Sequence, residues 1–312
     1  MRTYIFGPVP SRRLGISLGV DLTPTKTCSF DCLYCQLDRT RFHTSERSRF
    51  CPPVDVLQEL REVLNEVAAP DWITFSGTGE PTLHVDLGLI LSELKKFSPS
   101  PVCVITNSSL LYREDVREEL MNADRLLPTL TTVNEATFRK IHRPTSDIRL
   151  SMILDGLRKM AENFKGIIEI EIFVCPGIND SDEEILGLSE FIKSLKNISS
   201  IYLNTAVRVP VEDEVITADH VRLQEFRDKL DLKIPVITAF ERKTIPARPS
   251  KWNRATAEAD ILKLLLRHPC NEEQLAQVLD SDKARVALLL VELSRQGKVK
   301  LQANGEWKLI ES

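Results

Sequence analysis

The sequence predicts an α/β protein built on parallel strands and followed by a smaller α+β unit. Three observations predict it. Short apolar strand segments alternate with amphipathic helical segments between residues 16 and 238, a pattern that implies parallel strands joined by right-handed crossovers. Residues 244–256 read as a linker with two prolines. Beyond the linker the pattern changes to three helices and a hairpin. The expected domains are therefore 1–247 and 248–312. A doubly wound sheet and a barrel both fit the alternation.

The elements follow in order. The lead-in Gly7-Pro8-Val9-Pro10-Ser11-Arg12-Arg13-Leu14-Gly15 is rich in breakers and reads as a loop, not an element. Ile16–Leu22 reads as the first strand, ended by Pro24. Residues 53–69 carry Val56, Leu57, Leu60, Val63, Leu64 and Val67 at helical spacing. Asp71–Phe75 is a short strand closed by Ser76-Gly77-Thr78-Gly79-Glu80-Pro81. A helix near 86–97 precedes strands at Val102–Thr106 and Asp124–Leu130, and Ile167–Val174 is the next strand. Ser181 with Glu184 has the spacing of a capping box. Ser200–Thr205, a helix near 217–230 and Pro235–Thr238 complete the larger unit. In the tail, helices are expected at Ala257–Arg267, Glu272–Leu279 and Asp282–Gln296, and Asn304-Gly305 marks a hairpin.

With 42% apolar and 28% charged residues the composition is that of an ordinary globular protein. No apolar run is long enough to span a bilayer, and the N-terminus lacks the apolar core of a signal peptide, so a cytoplasmic, non-membrane protein is expected. Net charge is −4, but residues 1–50 carry a net +4. Arg12, Arg13, Lys26, Arg39, Arg41, Arg47 and Arg49 flank a cysteine-rich stretch and predict an electropositive mouth that draws an anionic substrate.

That stretch is Cys28-Ser29-Phe30-Asp31-Cys32-Leu33-Tyr34-Cys35, a C-x3-C-x2-C spacing directly after the first strand. Three thiolates on one loop can hold three irons of a [4Fe–4S] cube and leave the fourth open. A structural zinc site wants four ligands, usually as two CxxC-like pairs, and no second pair exists. Cys51, Cys103, Cys175 and Cys270 are isolated and read as structural.

With these motifs, residues 14–240 resemble the radical S-adenosylmethionine superfamily, and most nearly the branch that includes the tRNA wyosine-base synthases. The lead-in, the Arg139-Lys140-Ile141-His142-Arg143-Pro144 run and Pro176-Gly177-Ile178-Asn179-Asp180 fit uncharacterised relatives of that branch. The resemblance implies an incomplete parallel (β/α)6 barrel and an enzyme. In such enzymes a [4Fe–4S] cluster passes one electron to S-adenosylmethionine, and the resulting 5′-deoxyadenosyl radical abstracts hydrogen from a substrate. It implies that Cys28, Cys32 and Cys35 ligate the cluster and that Tyr34 packs near the adenine. Gly77, Thr78, Gly79 and Glu80 correspond to the Gly-Gly-Glu-Pro turn that receives the methionine ammonium, with Thr78 in place of the second glycine. The two glycines are expected to let the backbone approach the ligand. Asn107 and Thr129 match ribose- and carboxylate-facing positions, Ile178 an adenine-packing position, and Asn204 the same pocket. At Thr129-Leu130-Thr131-Thr132 relatives often carry Ser-Leu-Asp-Ala. The family also implies a one-electron reductant such as flavodoxin or ferredoxin. Wyosine-base synthases carry further cluster cysteines upstream, and residues 1–27 contain none, which disfavours that particular reaction.

Arg12, Arg13, Arg143 and Glu171 are candidates for a substrate-facing mouth, with RNA or another phosphate-bearing molecule as the substrate. The tail has the element order of a winged helix-turn-helix, but its charge is nearly balanced. Lys283, Arg285, Arg295, Lys298, Lys300 and Lys308 could form a basic stripe; a protein-contact or substrate-presenting module is the other reading. The competing class is a winged-helix DNA-binding regulator whose cluster senses redox state or S-adenosylmethionine.

Overall fold

The computed structural model describes residues 3–11, 13–37, 39–67, 69–206, 212, 215–241, 254–267, 269–279, 281–302 and 305–310. Arg12, Asn304 and most of the expected linker, with the domain boundary it contains, lie outside the described residues.

The chain opens with a hairpin, β1 (Ile5–Ser11) and β2 (Gly15–Val20), and the cysteine stretch follows on a loop that holds two short strands, β3 (Thr27–Cys28) and β4 (Phe42–His43). Six strand-to-helix crossovers then build the larger unit. Helix α1 (Pro53–Glu66) leads to β5 (Trp72–Phe75), α2 (Leu87–Lys95) to β6 (Val102–Thr106), and α3 (Glu114–Leu120) to β7 (Arg125–Pro128). Two helices, α4 (Glu135–His142) and α5 (Leu150–Asn163), precede β8 (Ile167–Phe173). Helix α6 (Asp182–Ser194) precedes β9 (Ile198–Asn204), and α7 (His220–Leu230) precedes β10 (Val236–Thr238). One sheet runs in the order β1-β2-β5-β6-β7-β8-β9-β10, and every pairing but β1·β2 is parallel. This is an incomplete parallel barrel with an antiparallel strand on one edge.

The first correction falls on that edge: the lead-in is a strand, not a loop. Gly7, Pro8 and Pro10 mark a turn in a sequence, but an edge strand needs ladder bonds on one side only and tolerates proline. The register slips between Phe6 and Val9, where Gly7 and Pro8 sit. A second correction concerns α6. Ser181 Oγ accepts from Glu184 N at 3.3 Å, but the Glu184 carboxylate turns into the core and accepts from Thr132 and Thr137 instead of closing the capping box.

Strand alternation sorts the side chains. Ile168, Ile170 and Ile172 of β8 join the core between sheet and helices, with Leu157 and Met160 of α5 and Leu188 of α6. Glu169 and Glu171 therefore point into the barrel. At its foot Leu14, Cys103 and Leu127 form a small apolar floor, and Glu169 pairs with Arg125, whose guanidinium lies 4.4 Å over the Trp72 ring.

The tail comprises α8 (Arg254–Arg267), α9 (Glu272–Leu279), α10 (Lys283–Arg295) and an antiparallel pair, β11 (Val299–Leu301) and β12 (Trp307–Leu309). Its core of Ile261, Leu264, Leu275, Leu290 and Trp307 takes in Phe6 of β1, with Val9 beside it. Ile5, one residue away, faces the helix-side core. The tail thus packs on the inward face of β1. It also reaches the cysteine loop: Gln36 and Leu37 border a small cleft with Leu265, Pro269 and Leu309. No helix among the described residues is long and apolar enough to cross a membrane.

Candidate metal centre and cofactor site

The cysteine loop sits at the C-terminal end of β2, the end of a parallel barrel where loops gather catalytic groups. Two apolar anchors fix it. Phe30 is buried against Phe138, Ile148, Leu150 and Ile153, and Leu33 against Ile141, Phe173 and Cys175. Backbone bonds add register. Asp31 N donates to His142 O and Leu33 N to Ile141 O, each at 2.9 Å, so the loop satisfies carbonyls at the C-terminus of α4 that have no intrahelical partner. Cys35 N donates to Cys32 O at 3.1 Å.

Cys28, Cys32 and Cys35 are half-buried, whereas Cys51, Cys103, Cys175 and Cys270 are buried elsewhere. Each loop thiol faces a nitrogen. Asn107 Nδ2 donates to Cys28 Sγ at 3.4 Å, His142 Nδ1 lies 3.1 Å from Cys32 Sγ, and Lys26 Nζ donates to Cys35 Sγ at 3.5 Å. Burial first, and Glu80 second, push the Cys28 thiol up to about 12, and burial also raises Cys32. Among the described residues no group of three His, Cys, Asp or Glu is placed to hold a single metal ion. Thiols that each bind a different iron of a cluster do not need to converge on one point. The donor set therefore fits a cluster with one iron left for a non-protein ligand.

The turn after β5 abuts the loop. Lys26 N donates to Thr78 O and Glu80 N to Thr27 O. A Cβ on Gly79 would stand 2.0 Å from Thr27 O, and one on Gly77 would stand 2.1 Å from Asp21 Cγ. The glycines are thus required by the chain's own close packing, a cause that differs from the expected approach to a ligand. Thr78 N and Oγ1 both donate to Asp21 Oδ2. Glu80 is 2% exposed. Its Oε1 accepts from Thr82 N, Thr82 Oγ1 and Thr106 Oγ1, and its Oε2 accepts from Asn107 N at 2.7 Å. No cation among the described residues pairs with it, and burial raises its pKa. Asn107 therefore touches both Glu80 and Cys28, and its side chain also donates to Ser29 Oγ.

The remaining expected residues fall into two groups. Tyr34 stacks on Phe173, with centroids 3.8 Å apart, and Ile178 packs in the same apolar cluster. Inside the barrel, Glu171 gathers Arg13, Asn204 and Thr129: it accepts from Arg13 Nη1 at 2.9 Å, Asn204 Nδ2 at 3.0 Å and Thr129 Oγ1 at 3.3 Å.

Two expectations about charge need correction. The backbone of Arg13 is not at the mouth, although its guanidinium borders groups at the C-terminal ends of β9 and β10. It lies in the β1–β2 turn, at the foot of the barrel opposite the cysteine loop, and its guanidinium runs inward to Glu171. The mouth is also less positive than residues 1–50 suggest, because distant carboxylates neutralise its arginines. Arg39 and Arg143 share Asp31 and Glu212, Arg47 pairs with Asp115 and Glu119, and Arg49 with Asp86. In the tail, Lys283, Arg285 and Lys298 pair with Glu272, Asp282 and Glu258.

Sequence reasoning gave no role to His142, Thr131, Asp21 or Ser29. The only signal for His142 was its place in the 139–144 run. Burial holds its imidazole down at about 3.

Residues 22–188 match the Radical SAM superfamily. UPF0026 protein MJ1312 of Methanocaldococcus jannaschii is 36% identical over 315 residues, covering 97% of this chain and 94% of that protein. GTPase Obg of Brachyspira hyodysenteriae is 32% identical over 296 residues, 95% of this chain but only 43% of the length of that relative. Among solved structures, TYW1 with a lysine-pyruvate adduct bound shares the fold, with a TM-score of 0.53 at 18% identity over 73% of this chain and 76% of that one. The chain belongs to the radical SAM superfamily, a family of enzymes whose cofactors are a [4Fe–4S] cluster and S-adenosylmethionine.

Proposed function

We propose that Cys28, Cys32 and Cys35 hold the cluster, that the Gly77–Glu80 turn receives the methionine end of S-adenosylmethionine, and that the substrate is phosphate-bearing, with RNA first among candidates. Together the two cofactors supply reductive cleavage of the sulfonium–C5′ bond and abstraction of a hydrogen atom from the substrate.

The observation that carries the cofactor assignment is Glu80. A buried carboxylate without a cation partner is expensive, and Oε2 takes a single donor, from Asn107 N. A ligand ammonium there would supply the missing charge beside the residue that also bonds Cys28. Tyr34, Phe173 and Ile178 offer an apolar wall for the adenine, and Thr129 and Asn204, which both bond Glu171, are assigned to the same cofactor. Glu171, held by Arg13, Asn204 and Thr129, is a charged group that faces the barrel interior.

Three features support the RNA reading. Arg39 and Arg143 stand partly exposed beside the cysteine loop with side-chain exposures of 50% and 36%. The tail has the helix-helix-helix-hairpin order of winged-helix modules and borders that loop. Lys300 and Arg295 on it are exposed. A one-electron reductant of the flavodoxin or ferredoxin type completes the cycle. Gel-shift titration against total cellular RNA at low and moderate salt tests the substrate class. Binding should fall steeply with salt as neutralised phosphates release counterions, and Arg143→Ala should weaken it. Absence of a shift at low salt would move the assignment to a small metabolite or a protein.

A further inference from the structure

Each thiol of the cysteine loop meets a side-chain nitrogen, and the three nitrogens come from three separate places. Lys26 precedes the loop, Asn107 follows β6, and His142 closes α4. Two of these placements are not what packing alone would choose. Lys26 is 3% exposed and has a φ of 66°, in the left-handed region that a residue other than glycine occupies at a cost and keeps only where its surroundings enforce it. Here they do: Lys26 N donates to Thr78 O, and Lys26 O accepts from Arg41 N and Phe42 N, all at 3.0 Å. A buried ammonium is thereby fixed next to Cys35.

His142 is enclosed by the rings of Phe30, Phe138 and Tyr34. Its Nε2 lies 2.5 Å from Thr131 Oγ1, and that hydroxyl makes no other hydrogen bond among the described residues. A neutral imidazole carries one N–H, and a thiolate ligand can only accept. With Cys32 as a ligand, Nδ1 must therefore carry the proton, and the Thr131 hydroxyl donates to Nε2. A directed chain results, Thr131 to His142 to Cys32.

We propose that Lys26, Asn107 and His142 form a hydrogen-bonding set, one side-chain nitrogen per sulfur, that raises the reduction potential of a cluster held by Cys28, Cys32 and Cys35. It rests on those cysteines holding the cluster. The physical reason is that reduction adds one negative charge to the cluster, and N–H dipoles and an ammonium aimed at its sulfurs stabilise the more negative state. The set makes the cluster easier to reduce by a biological one-electron donor. Lys26 and His142 act through the sulfurs and are positioning residues.

The test is an EPR-monitored redox titration of the full chain, reconstituted anaerobically, with iron counted in every sample. Lys26→Met and His142→Phe should each lower the equilibrium constant for one-electron reduction about tenfold or more, a fall of about 59 mV or more in potential. Lys26→Met should be the larger, because it removes a full charge. A variant with wild-type iron content and unmoved potential overturns its donor's role. Should His142→Phe fail to load iron, pulsed EPR on protein labelled with 15N-histidine decides the point. The reduced cluster should show a histidine nitrogen coupling that persists in His43→Gln, the change at the other histidine beside the loop. No such coupling removes His142 from the set. A wild-type chain that takes up no iron overturns the cluster assignment itself, and this proposal with it.

Discussion

Glu80 has two separable jobs, and the pair Glu80→Ala and Glu80→Gln separates them. Its carboxylate accepts four hydrogen bonds, from Thr82 N, Thr82 Oγ1, Thr106 Oγ1 and Asn107 N. Alanine strips all four. The two hydroxyls can turn elsewhere, but two buried backbone N–H groups lose their acceptor at about 1–3 kcal/mol each, so Glu80→Ala should cost about 2–6 kcal/mol of folding stability. Glutamine keeps an oxygen for Thr82 and Thr106 and sets its amide against Asn107 N, a single mismatch of about 1–3 kcal/mol. Both changes remove the charge that would meet the methionine ammonium. A charge-assisted hydrogen bond is worth about 1.5–3 kcal/mol, so affinity for S-adenosylmethionine should fall about 10- to 150-fold in either variant. Urea unfolding measures the first effect, and equilibrium dialysis of iron-loaded protein the second. A folded, iron-loaded Glu80→Gln whose affinity stays within about twofold of wild type would refute the ammonium contact. An unchanged urea midpoint in Glu80→Ala would refute the structural one.

Other outcomes follow from the same contacts. Replacing Cys28, Cys32 and Cys35 together by alanine should abolish iron uptake, whereas Cys103→Ala or Cys175→Ala should leave the iron content intact, and iron analysis after reconstitution reads both. Phe6 is buried in the tail's core, so Phe6→Ala should cost about 3–5 kcal/mol; a urea midpoint equal to wild type would mean that tail and barrel do not share that core. His84 is buried and held below the usual histidine range, mainly by burial. The unfolded chain protonates it near pH 6.5, so the stability it contributes is present above about pH 6.5 and declines as pH falls, by up to about 1.4 kcal/mol per pH unit. His84→Gln should flatten that slope in urea midpoints taken at about pH 7.5 and 5.5.

The strand and helix alternation was legible because each parallel strand is a short apolar run and each crossover helix has a clear apolar stripe. The cysteine loop was legible because its ligands are close in sequence. What the sequence hid depends on distant partners. β1 looked like a turn because Gly7, Pro8 and Pro10 forbid a central strand but not an edge strand. Once β1 exists, the Arg13 turn must fall at the foot of the barrel, far from the mouth where its charge suggested a role. The mouth arginines read as a positive field because Asp86, Asp115, Glu119 and Glu212 lie 37 to 173 residues away from them in sequence. Glu184 kept half of its capping role because the Thr132 and Thr137 hydroxyls compete for its carboxylate. Glu171, by contrast, could be flagged from the sequence as a charge near the end of a strand, though not the three groups it would gather.

One measurement bears most directly on the central claim, that this chain cleaves S-adenosylmethionine reductively at a cluster held by the loop. Anaerobically reconstituted protein is mixed with S-adenosylmethionine and a strong reductant, and the nucleoside products are separated and identified. The account predicts slow formation of 5′-deoxyadenosine and methionine without added substrate, abolished in the triple cysteine variant. Only 5′-methylthioadenosine or S-adenosylhomocysteine, or 5′-deoxyadenosine that persists without the three cysteines, would contradict it.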